Sequence, residues 1–166
     1  MNKAILLFVA ISLTILNIAI FNEASEVAAY THTSVYSAEM NDYSWDVVAA
    51  TNSYRESTGK SVLLPDSRLA RAAQNKADSM CKDNYFSHDL PDGTKWTKFI
   101  TDTSLNYLNA GENLGKGYSS TTILQAWIDS PKHKENLDRN YTHIGVGYSQ
   151  CNGKLYSVQE FATLVQ

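Results

Sequence analysis

The last third of the chain most constrains what it can fold into. Ile144, Val146 and Tyr148 alternate with Gly145 and Gly147, and the run Leu155–Val158 alternates in the same way. Strict alternation is the mark of a strand with two distinct faces. Between the two runs sits Asn152-Gly153, a pair suited to a two-residue turn in which both residues take positive φ. The pattern predicts an antiparallel hairpin. Glycines at 145 and 147 leave one face of its first strand bare, which predicts a helix or loop lying directly on that face.

Helical periods precede the hairpin. From Ser44 to Ser57, Val48, Asn52 and Arg55 form one stripe, with Val47, Ala50 and Tyr54 beside it; Gly59 is placed to end the helix. Asn52 and Arg55 on an inward face need partners, and their expected role is to tie loops to the helix. Leu63–Pro65 reads as a short extended lead-in, with Asp66 or Ser67 as N-cap of a second helix reaching about Met80. Its stripe of Leu69, Ala72, Ala73, Ala77, Met80 and Cys81 is rich in alanine and predicts close packing; it reads as core alone. Residues 82–118 read as loop-rich, with a short helix over Trp96–Ile100. A further helix is expected from Ser120 to Asp129, where Pro131 ends it or opens the next turn.

The N-terminus orders itself as Lys3, an apolar run of 18 residues from Ala4 to Phe21, then small and polar residues. This is the layout of a secretory signal. Val27 and Ala29 favour cleavage after Ala29, giving a signal peptide over 1–29, a disordered lead over 30–41 and one domain over 42–166. The competing reading is an uncut membrane anchor. Ser12, Thr14 and Asn17 dilute the run, and its length is at the edge of what spans a bilayer. Export places the protein outside the cell or in the cell envelope, with no stable membrane insertion after cleavage. The net charge of −3 gives no basic footprint for nucleic acid. Cys81 and Cys151 are an even pair outside the reducing cytosol. That favours one disulfide and leaves two buried thiols open.

Three polar signatures lie between the helices and the hairpin: FSHDLPDG, AGENLG and SPKHKEN. Each supplies one group able to bind a proton or a metal, namely His88, Glu112 and His133. They are 24 and 21 residues apart, so only tertiary folding can bring them together. Two imidazoles and a carboxylate suit zinc or another divalent cation and equally suit acid–base chemistry. No HExxH or GxSxG occurs, and neither cysteine stands in a nucleophile's context. Glu112, between glycines, reads as the centre of a tight polar turn. His143 reads as a strand-end residue, and His32 falls in the lead.

Taken together, Asn52-x-x-Arg55, Phe86-Ser-His88, Gly111-Glu-Asn-Leu114, the W-x-x-S-P-x-H-x-x-N-L run from Trp127 to Leu137, Ile144-Gly-Val-Gly147 and Gln159-Glu-Phe161 resemble the CAP superfamily. This superfamily comprises the cysteine-rich secretory, antigen 5 and pathogenesis-related 1 proteins, also called SCP domains. The resemblance runs from about Trp45 to Phe161 and is greatest to the compact bacterial-type branch. It implies an α+β fold, a three-layer α-β-α sandwich around a small, mostly antiparallel sheet. It also implies a central cleft holding His88, Glu112 and His133, and a Cys81–Cys151 bridge. Plant and animal members add a second glutamate on the helix before the last histidine. Here that place is Ser130, beside Asp129. Members include sterol or lipid carriers and binders of divalent ions, and proteolysis has been proposed for some. The lipid-binding loop of the sterol carriers has no match here. The resulting expectation is a secreted, non-enzymatic module that binds an extracellular ligand or protein partner, with a His/Glu cleft able to hold a divalent metal. The alternative is a secreted hydrolase, protease-like, working through His88, Glu112 and His133.

Overall fold

A computed structural model describes residues 40–165. The expected signal peptide over 1–29 and most of the lead over 30–41 lie outside the described residues. The last two residues of that lead are not disordered. Met40 is buried in the core, and Asn41 caps the first helix, its side chain accepting from the Ser44 amide.

The described residues form five helices and four strands, in the order α1 (Asp42–Ser57), β1 (Leu64–Pro65), α2 (Ser67–Lys82), α3 (Lys98–Thr101), β2 (Tyr107–Lys116), α4 (Ile123–Ile128), α5 (Pro131–Asp138), β3 (His143–Cys151) and β4 (Lys154–Leu164). The sheet order is β1-β3-β4-β2. β1 runs parallel to β3, while β3/β4 and β2/β4 are antiparallel. α1, α4 and α5 pack on one face through Val47, Val48, Ile123, Trp127 and Leu137 against Ile144, Val146 and Phe161. α2 covers the other, with Ala73, Ala77 and Met80 against Tyr156 and Val158. This is the expected three-layer α+β sandwich.

Local chemistry accounts for the boundaries. Gly59 follows α1 with φ +73°, the left-handed conformation that glycine adopts at no steric cost. Asp66 caps α2, accepting from the Arg68 and Leu69 amides. Asn152 and Gly153 both take positive φ, 51° and 69°, so the hairpin turn is the one the dipeptide foretold.

α2 does lie directly on the bare face of β3. A Cβ added at Gly145 would stand 2.1 Å from the Ala70 amide nitrogen, and one at Gly147 2.3 Å from that of Gln74. Only hydrogen fits there. Arg55 and Asn52 act as tethers. Asn52 exchanges two hydrogen bonds with the Leu63 backbone, and the buried Arg55 guanidinium donates to the carbonyls of Ser61, Leu137 and Arg139. Cys81 and Cys151 are joined, with Cα atoms 5.9 Å apart, a separation at which disulfides commonly form.

Two further expectations are corrected. Residues 107–116 form strand β2, not loop, and Glu112 sits inside that strand, not at a turn. The glycines around it mislead because they serve close packing: a Cβ at Gly111 would meet the Tyr141 hydroxyl at 2.3 Å, and one at Gly115 would meet Ile123 Cδ1 at 2.1 Å. The second correction is that α2 is more than core, since Lys76 is fully buried on its inward side.

Candidate functional site

β2 is the edge strand next to β4, and a free edge exposes unpaired backbone groups. The SPKHKEN signature covers part of this one. Pro131 opens α5 as a first-turn residue, which places Asn136 so that its amide donates to the Glu112 carbonyl at 3.0 Å and to Asn113 Oδ1 at 2.9 Å. Asn113 in turn donates to the His133 carbonyl and to Gln159 Oε1. The asparagines of the second and third signatures therefore fasten α5 to β2, and so fix His133 near Glu112.

His88 arrives from the opposite side, on the loop after α2. That loop is held by Lys76, whose Nζ donates to the Ser87 carbonyl at 2.8 Å and to the His88 carbonyl. The Tyr85 hydroxyl lies 3.4 Å away, and the ammonium also sits over the Tyr85 and Phe99 rings. So placed, His88 Nδ1 meets Glu112 Oε1 at 2.6 Å. The Glu112 side chain is 1% exposed and that of His88 52%: a buried carboxyl orients a half-exposed imidazole. Burial pulls the His133 pKa below the ordinary histidine value, and the nearby charge of His88 pulls it further.

The structure thus brings His88 and Glu112 into direct contact and sets His133 within electrostatic reach of His88. Among the described residues no three His, Cys, Asp or Glu side chains are grouped to hold one ion. Glu112 stands behind His88 as its hydrogen-bond partner, which leaves at most two imidazoles where a catalytic zinc takes three protein ligands. His143 bonds to its neighbour Thr142, as suits a strand end. His32 is outside the described residues.

At the place of the second glutamate, Ser130 carries no carboxyl and Asp129 accepts from Gln125 at the surface. The carboxyl that does lie next to Glu112 is Glu160, on β4. It is the direct cross-strand neighbour of Glu112, is wholly buried, and has its pKa well above the carboxyl range, first through burial and then through the charge of Glu112. Sequence reasoning passed over Glu160 and Lys76. The signals were a carboxylate inside the otherwise buried run Tyr156–Ala162 and a lysine falling on the apolar stripe of α2.

Beside the cluster lies a groove of about 360 Å³. Phe86, Leu114, Ile123 and Trp127 give it apolar walls, and Lys116 and His133 supply polar groups. Ser130 lines it too. The Trp127 indole is held by the Leu114 carbonyl at 2.9 Å, so this wall is fixed. The Lys116 ammonium lies over the Phe86 and Tyr156 rings.

This three-layer α-β-α sandwich around a small, mostly antiparallel sheet is the fold of SCP-domain proteins. Residues 48–164 match the pattern of the cysteine-rich secretory protein family, CAP, and the chain belongs to that family. It is 32% identical over 141 residues to the uncharacterized protein YkwD of Bacillus subtilis, a stretch covering 83% of this chain and 54% of that relative. This chain therefore spans about half of YkwD's length. Among solved structures it resembles an extracellular SCP-domain protein of Bacillus anthracis, with 26% identity, TM-score 0.67, and 72% of this chain and 40% of that one covered. It shares its fold with an outer surface protein of Borrelia burgdorferi, at 22% identity and TM-score 0.67, covering 71% and 90%. Both are described as extracellular or surface proteins. Among the described residues no helix is long and apolar enough to cross a membrane.

Proposed function

We propose that this protein is an exported, non-enzymatic binding module that works outside the cell or at its envelope. The groove beside His133 takes a small ligand with an apolar body and an acidic or hydrogen-bonding head. The observation that carries this reading is the groove's lining. Four large apolar side chains meet Lys116 and His133 in one concavity, the mixture of apolar walls and few polar groups typical of small-molecule sites. The export half of the reading draws support from the N-terminal apolar run, the disulfide and the extracellular relatives.

One observation favours the hydrolase alternative. The His88–Glu112 hydrogen bond is the base-and-orienter half of a nucleophilic site. The other half is missing from that arrangement, because among the described residues no Ser, Thr or Cys side chain bonds to either imidazole.

The test uses an amphipathic fluorescent sulfonate, anilinonaphthalene sulfonate, as probe. Saturable binding by the wild type that is lost in Ala126→Trp, which fills the groove from α4, supports the ligand site. Equal binding by both proteins overturns it. A parallel peptide-hydrolysis assay of wild type and His88→Ala decides the alternative, with turnover abolished by the substitution as the result that would displace the binding reading.

A further inference from the structure

As two carboxylates, Glu112 and Glu160 would present four acceptor oxygens and no donor. Only Glu112 Oε1 has a partner, His88 Nδ1. Glu112 Oε2 and both Glu160 oxygens are buried with none. The pair faces across β2 and β4 in direct register, which puts the Cβ atoms about 5 Å apart, well within reach of one another's carboxyl groups. On its other side Glu160 is paired with Gly145, over whose bare surface α2 lies. The site is closed by backbone on that flank.

The charged group that α2 aims into this region is Lys76. It does not pair with Glu160, because its ammonium is committed to the carbonyls of Ser87 and His88 and faces the Tyr85 hydroxyl. A fully buried, unpaired carboxylate is far costlier than a protonated one. One proton on Glu160 removes the conflict: it turns an acceptor into a donor and gives Glu112 Oε2 the hydrogen bond it lacks.

We propose that Glu160 is held as a neutral carboxylic acid that donates to Glu112 Oε2, so that His88, Glu112 and Glu160 form one hydrogen-bonded chain running from the half-exposed His88 into the sheet. Glu160 is a positioning residue. It fixes the Glu112 carboxyl from behind, so that Oε1 meets His88 Nδ1, and Nε2 of His88 is left as the group offered outward. The second carboxyl of this cleft thus comes from the central strand and not from the helix carrying His133. The assignment is independent of what the groove binds.

Infrared spectroscopy of the whole exported protein in heavy water at neutral pH tests it. The wild type should show the carbonyl band of an un-ionised carboxyl, and Glu160→Gln should remove it. No such band in the wild type, or one surviving in Glu160→Gln, overturns the proposal. Should Glu160→Gln fail to fold, Glu112→Gln serves instead: its band must persist, and its loss would place the proton on Glu112 and overturn the assignment. Nitrogen-15 shifts of His88 separate positioning from packing. Glu160→Gln, which still donates, should keep the wild-type signature of a proton fixed at Nδ1, and Glu160→Leu, which cannot, should shift it toward the tautomer mixture of a free imidazole. Identical His88 shifts in all three proteins would show that Glu160 positions nothing.

Discussion

Lys76 Nζ donates to the carbonyl of Ser87, one residue before His88, across 2.8 Å. A helix that reads as pure core thereby holds the loop bearing the most exposed member of the site. Lys76→Met keeps the stem's bulk and removes the donor. We expect it to cost about 2–3 kcal/mol, since hydrogen bonds from a charged donor are lost and two carbonyls are left to find others. Urea unfolding would measure the loss, and nitrogen-15 spectra of His88 should show its contact with Glu112 loosened. An unchanged midpoint and unchanged His88 signals would mean that the loop holds itself.

Gly145 and Gly147 are required by proximity to α2, not by an unusual backbone. With α2 backbone atoms 2.1 Å from a Cβ at position 145, the added methyl meets nothing that can rotate away. Gly145→Ala should therefore cost about 3 kcal/mol or more, at the upper end for overpacking. Thermal unfolding would read this as a large fall in Tm. A variant as stable as the wild type would show that α2 can lift from the sheet.

How much of this was legible in advance follows the range of the interactions involved. The Asn152-Gly153 turn, the cap at Asp66 or Ser67 and the glycines under a covering helix or loop are set by neighbours in sequence or by a period, and were read from the local pattern. β2 was not, because a strand carrying Gly111, Gly115, Asn113 and Glu112 has neither β-branched residues nor alternation. Its glycines exist for Tyr141 and Ile123, which approach from distant segments. Glu160 was invisible as a site residue for a similar reason. Its role depends on pairing opposite Glu112, 48 positions earlier in the chain, a register that no local pattern encodes. The sequence could bring three polar signatures to one cleft by resemblance, but not reveal that Glu112 would stand behind His88.

The Cys81–Cys151 bridge closes a loop of 70 residues. On the chain-entropy account its removal should cost roughly 4 kcal/mol. The double variant Cys81→Ser/Cys151→Ser, compared with the oxidised protein by denaturant titration, would measure this. Because the bridge joins the end of α2 to the β3–β4 turn, the loss should also appear as faster amide exchange at that end of the hairpin. Unaltered stability would mean that packing of Met80 against Tyr156 and Val158 already holds this corner.

Asp66 links a cap to acid stability. Burial works to raise its pKa, but hydrogen bonds from the Arg68 side chain and from the Arg68 and Leu69 amides outweigh it and hold it below the ordinary value. A carboxyl depressed on folding stabilises the protein above its unfolded pKa of about 3.9, and that contribution fades as pH falls through the folded value. Asp66→Ala should cost about 1–2 kcal/mol at neutral pH. The gap from the wild type should narrow below about pH 4. Equal gaps at pH 7 and at pH 3 would remove the electrostatic part of the argument.

His133 shows the same direction of dependence in a higher pH window. Its folded pKa lies below the ordinary value, first because of burial and second because His88 adds positive charge nearby. Between the folded value and the unfolded one of about 6.5, the unfolded chain binds more protons at this residue than the folded one. Stability from this group therefore rises with pH and is lost as pH falls through that window. Proton NMR should show His133 titrating below a free histidine, as should His143, whose pKa burial also lowers; the sharper comparison is within one residue. In His88→Ala the charge repulsion is gone and burial remains, so the His133 titration should move upward without reaching the free value. No movement would mean that the two imidazoles do not sense one another. Movement all the way to the free value would mean that burial contributes nothing.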